Sequence, residues 1–148
     1  MAVVTNGMRD VQLKQVMSLR QHLALPGDQG RHATICLAHL VKPGNSLVTR
    51  EALNALLDAL ADPNQPEVRK RAAWALGGLA NSVSAYDLGE RIVPALIRTL
   101  DLDNNGQFNV LVAGQAYHSL LYVGTPDAVA ATEAYRAKVI GMKSQDTL

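Results

Sequence analysis

Three side chains able to bind metal or act as nucleophile and base sit close together: His32, Cys36 and His39. At i, i+4 and i+7 they form a stripe along a helix. Such a stripe could hold zinc or activate the thiol. Zinc would still need a fourth ligand or an open water position. A second segment, Asp101-Leu102-Asp103-Asn104-Asn105-Gly106, matches the first half of an EF-hand loop, with oxygens at positions 1, 3 and 5 and glycine at 6. Position 12, where a bidentate glutamate belongs, is Val112. A polar turn between two helices uses the same residues, so calcium is not expected. A third cluster, Arg69, Lys70 and Arg71, opens a helix at the end that disfavours cations, so something else must hold it. Gly77-Gly78 lies inside a helix, where each glycine costs about 1 kcal/mol relative to alanine. That cost points to close helix packing or to an open spot on a binding surface. There is no Gly-rich phosphate loop and no acid pair in an apolar setting. The motifs assemble no Ser–His–Asp arrangement. No metal, no cofactor and no catalytic residue are expected.

The elements carrying these residues read as helices. Hydrophobic residues make up 48% of the chain, charged residues 18% and aromatics 4%. An Ala- and Leu-rich, aromatic-poor core suits close-packed helices better than sheets. The 148 residues suffice for one continuous core. Helices are expected over about 8–24, 30–41, 50–61, 66–80, 87–100, 108–123 and 126–140, at 60–70% of the chain. Pro26-Gly27, Pro43-Gly44, Asp62-Pro63 and Gly124 stop them. Val11, Met17, Leu19 and Leu23 would form the ragged apolar side of the first helix. Thr49 reads as an N-cap for Arg50, and Asp87 with Glu90 has capping-box spacing. Pro94 predicts a bend or a later start. A single repeat domain over 8–141 results, with 1–7 and 142–148 as flexible ends.

Three segments superpose without gaps: 33–40, 72–79 and 116–123. Each begins with alanine (Ala33, Ala72, Ala116). A small residue follows (Cys36, Ala75, Ser119), then leucine (Leu37, Leu76, Leu120). The preceding helices match as well, Ala55-Leu56-Leu57 with Ala95-Leu96-Ile97. The small residue lets a neighbouring helix approach, and the leucine fills the groove beside it. One hairpin cannot bury both faces alone, so hairpins stack. The first and last helices then serve as caps with polar outer faces.

The run Pro66-Glu67-Val68-Arg69-Lys70-Arg71-Ala72-Ala73-Trp74-Ala75-Leu76-Gly77-Gly78-Leu79, after its Asp62-Pro63 stop, closely resembles the second helix of HEAT repeats. It is most similar to the HEAT-like repeats named after phycobilisome lyases. The third unit departs from the pattern, with Phe108-Asn109-Val110 in place of the Val-Arg start. The resemblance implies an all-α superhelix, a HEAT/armadillo-like solenoid of about three hairpins plus a C-terminal capping helix. It also implies pairing of Arg69 with acids of neighbouring repeats. Members of this family usually bind other proteins, and some act as lyase subunits or scaffolds. A related fold in DNA glycosylases grips DNA on a basic face.

In HEAT stacks the second helices line the concave side. The alignment makes Ile35, Trp74 and His118 one row and His39, Gly78 and Tyr122 another. With Arg31, Lys70 and Arg71 nearby, these rows would form a partly aromatic, partly basic binding strip. Alternatively, Trp74 simply packs between helices. The expected function is a non-catalytic protein-interaction scaffold whose partner is another protein. The second reading is an enzyme or enzyme subunit, of the bilin-lyase or nucleic-acid type. A formal net charge of +1 speaks against nucleic acid. No apolar run is long enough for a membrane span. One cysteine excludes an internal disulfide, and a reducing, cytoplasmic location is the default expectation.

Overall fold

Leu37, Leu76 and Leu120 are fully buried, and each comes from the second helix of a hairpin. The computed structural model describes residues 6–43, 46–102 and 107–146. Helix α1 (Asn6–His22) pairs with α2 (Gly27–Leu40), and α3 (Ser46–Ala61) pairs with α4 (Pro66–Gly78). Helix α5 (85–98) pairs with α6 (Val110–Val123), and α7 (Pro126–Asp146) packs across both. These seven helices hold 80% of the structure, above the expected share, and the described residues contain no strand. First helices stack on one another, α1 on α3 on α5, with α7 continuing the row. Second helices form the other row, α2 on α4 on α6. The architecture is a two-row α–α superhelix of three hairpins and a last helix. No helix is long and apolar enough to cross a membrane, among the described residues.

The core lies between the rows. It joins the leucines to Ala33, Ala72 and Ala116 and to Leu53, Leu56 and Leu96 of the first helices. The most extensive helix contact is between α4 and α6. Its closeness has a chemical cause. A Cβ on Gly77 would lie 2.5 Å from the Cβ of Ser119. The Ser119 hydroxyl donates to the Ala73 carbonyl at 2.8 Å, which ties the two helices together. Gly124 ends α6 in the left-handed conformation (φ 69°), which costs glycine nothing.

Several local expectations are corrected. Thr49 caps no helix, because α3 already begins at Ser46. Its hydroxyl donates to the Lys42 carbonyl (2.8 Å) and accepts from the Lys42 N–H (3.1 Å), stapling the α2–α3 link. The cap of α5 is Ser84, which accepts from the Asp87 N–H at 3.1 Å; Asp87 is thus the third residue of the helix, and no box runs from it to Glu90. Helix α5 is continuous through Pro94. The turn Leu88–Ile92 is wound as a π-helix, with the Val93 N–H donating to the Leu88 carbonyl. Such a widened turn accommodates a ring that lacks an N–H. Asn109 caps α6, accepting from the N–H groups of Leu111 and Val112.

The outer faces of the end helices are less polar than expected. Helix α1 packs through Leu13, Val16 and Leu19, joined by Leu23 just past its end, a helical period that leaves Val11 and Met17 exposed. Helix α7 leaves Val129, Ile140 and Met142 exposed.

Candidate functional site

The superposed rows come together on the face of the second-helix row. Trp74 follows Ala73, whose side chain faces the core, so the α4 period turns the indole outward. It is 54% exposed. Gly78 lies one turn further on, and nothing stands within 4 Å of where its Cβ would be. Gly77 therefore provides the close approach and Gly78 the open spot. Ile35, His39, Trp74, Gly78, His118 and Tyr122 line one cleft of about 510 Å³, with Ala38 and Gln115. Tyr122 is 69% exposed at its rim. Tyr117, the neighbour of His118, meets the imidazole edge-on at 5.7 Å and Tyr135 at 6.0 Å, so α7 buttresses this wall.

A second cleft of about 690 Å³ adjoins the first and shares Ile35, Trp74 and Gln115 with it. Its floor includes Leu25, Pro26 and Val68, and it holds Arg31, Lys70 and Arg71. All nine residues singled out from the sequence thus line one continuous groove. Its two ends differ electrostatically. The wider end has three cations and two acids, Asp28 and Glu67. The narrower end has, among the described residues, histidines as its only titratable groups besides Tyr122.

The cations are not equivalent. Arg71 is already engaged within the chain. It donates to the Gly27 carbonyl at 3.1 Å and to the Glu67 carbonyl at 3.3 Å, and it packs over Gly30, where no side chain would fit. It clamps the start of α2 against α4. Arg31 pairs with Asp28 at 2.5 Å, both of them exposed. Lys70 is half-buried and makes no hydrogen bond or ion pair among the described residues.

Arg69 is buried and points away from the groove. Among the described residues it forms no ion pair of the kind the family resemblance implied. Its Nε donates to the Leu60 carbonyl at 3.0 Å and its Nη1 to the Gln107 carbonyl at 2.9 Å. Leu60 lies in the last turn of α3, where unpaired carbonyls and the helix dipole favour a cation. Burial lowers the guanidinium's pKa from its usual value, and the charge of Asp62 acts against that shift. The side chain stays protonated, since arginine starts so high.

The His32–Cys36–His39 stripe does not converge. The Cys36 thiol lies 3.4 Å from Nε2 of His32, while His39 opens into the groove. His32 instead shares a shallow recess with Ser18, Leu19 and His22. Cys36 is half-buried, unlike its equivalents Ala75 and Ser119. No three His, Cys, Asp or Glu side chains gather among the described residues. Of the EF-hand-like segment, residues 103–106 lie outside the described residues.

Sequence reasoning missed Gln115, which lies at the junction of the two clefts. Extending the repeat by one column would have found it, since Gln115 is the counterpart of Arg71. The backbone-led wall at Leu25 and Pro26 had no such signal. No family model matches the chain, and no curated protein sequence matches it.

Proposed function

We propose that this chain is a non-catalytic protein-interaction module of the HEAT-repeat type, binding a partner protein in the groove across α2, α4 and α6. The observation that carries this reading is the exposed Trp74 beside the open backbone of Gly78. Covering the exposed half of a tryptophan removes about 100 Å² from water and contributes about 2.5 kcal/mol. That is the scale of a binding hot spot, and Trp, Tyr and Arg are the residues most enriched there. Helices stacked about 9–10 Å apart make the groove roughly 20 Å long, room for about six extended residues. At the narrow end, among the described residues, no carboxylate lines the cleft with His39 and His118. The single thiol, half-buried and without a disulfide partner, fits a reducing, cytoplasmic setting.

Trp74 is the only tryptophan, so its fluorescence reports on the groove alone. A bound partner protein should shift its emission to the blue and shield it from acrylamide. Binding that leaves both unchanged would move the interface elsewhere and refute the reading.

A further inference from the structure

Helix α7 carries a stripe that none of the described residues covers. Val129, Glu133, Arg136 and Ile140 follow at i, i+4, i+7 and i+11, so they share one side of the helix. All four are exposed. The packing side is a different one, where Ala128 and Thr132 are buried and Tyr135 meets Tyr117. Neither Glu133 nor Arg136 makes an ion pair or hydrogen bond within the chain, among the described residues.

The order of this stripe is apolar, acidic, basic, apolar. It is therefore complementary to its own reverse. A two-fold axis midway between Glu133 and Arg136 would set Val129 against Ile140 of a second copy. The same axis would set Glu133 against Arg136, and each pairing occurs twice. We propose that two copies of this chain form an antiparallel homodimer through this stripe of α7. The register is specified by charge. A slip of one turn in either direction sets Glu133 against its own copy or Arg136 against its own copy, and like charges reject both. A two-fold contact of one patch with itself is also the commonest form of association. At a net charge of +1 per chain, no general repulsion opposes it.

The seam spans about three turns, roughly 17 Å. A seam this short is smaller than a standard interface, so the dimer should be in equilibrium with monomer at micromolar concentrations. The seam shares no residue with the groove, so the two proposals stand or fall separately.

Sedimentation equilibrium tests the pairing. The mass of the full chain should rise from 15.9 kDa toward twice that value as concentration passes through the micromolar range. Glu133→Arg alone and Arg136→Glu alone each set like charges face to face twice, and each should raise the dimer's Kd about tenfold or more. The double exchange, Glu133→Arg with Arg136→Glu, rebuilds both pairs in reverse and should restore association. Circular dichroism on each variant checks that the helices are intact. A chain that stays monomeric throughout overturns the proposal. So do single exchanges without effect, or a double exchange that fails to restore the dimer.

Discussion

Gly77 and Gly78 are neighbours in one helix, yet alanine should have opposite effects at the two positions. Alanine is favoured over glycine inside a helix by about 1 kcal/mol, and by somewhat less at Gly78, the last residue of α4. At Gly77 the new methyl would lie 2.5 Å from the Cβ, 2.6 Å from the Oγ and 3.0 Å from the Cα of Ser119. Carbon atoms rest at about 3.5–4.0 Å, so α4 and α6 would have to separate by about 1 Å. Ser119 cannot swing aside without losing its hydrogen bond to the Ala73 carbonyl. Overpacking costs about 1–3 kcal/mol and a lost hydrogen bond about 1 kcal/mol more. After the helix gain, Gly77→Ala should destabilise the chain by about 1–3 kcal/mol. Gly78→Ala meets nothing and should stabilise it by about 0.5–1 kcal/mol. Its methyl rises from the groove, so the same variant should bind the partner more weakly. Urea unfolding followed by circular dichroism measures both stabilities on one scale. If Gly77→Ala proved as stable as Gly78→Ala, the close α4–α6 contact would be wrong, and with it the shape of the groove.

Leu76→Ala removes a fully buried side chain and should cost about 2–5 kcal/mol in the same melts; a loss under about 1 kcal/mol would show the repeat to be misaligned. Arg69→Met leaves the Leu60 and Gln107 carbonyls without their donor and should cost about 1–3 kcal/mol, so unchanged stability would mean those bonds contribute nothing. Trp74→Ala should weaken partner binding by about 2 kcal/mol or more in calorimetric titrations; a variant that melts far earlier yet binds normally when folded would make Trp74 a core residue.

The helices were legible because their signals are local. Leucines at helical spacing marked the buried sides, and Pro26, Pro43, Pro63 and Gly124 marked the breaks. The repeat register carried further than the helix ends did, placing Trp74, Gly78 and Tyr122 on one face through columns whose core members are buried. What stayed hidden depends on contacts between distant segments. Arg69 reaches two carbonyls, one of them 38 residues away, and no charge pattern announces a carbonyl. Arg71 is held by Gly27 across 44 residues. Cys36 occupies the position from which Ser119 packs back onto the preceding second helix. No second helix precedes α2 among the described residues, so the same column that buries Ser119 leaves Cys36 half-open beside His32. Thr49 had the right type for a cap, but its hydroxyl found the Lys42 backbone first.

The most direct test of the groove as a protein-binding site is a matched affinity capture. The wild-type chain, Trp74→Ala and Tyr86→Ala are used as baits in the same native lysate, and the retained proteins are quantified by mass spectrometry. Tyr86 is the control, an aromatic residue 70% exposed at the start of α5 and outside the groove. A partner retained by the wild type and by Tyr86→Ala, and lost from Trp74→Ala, is the predicted result. A set of retained proteins unchanged by Trp74→Ala would contradict it.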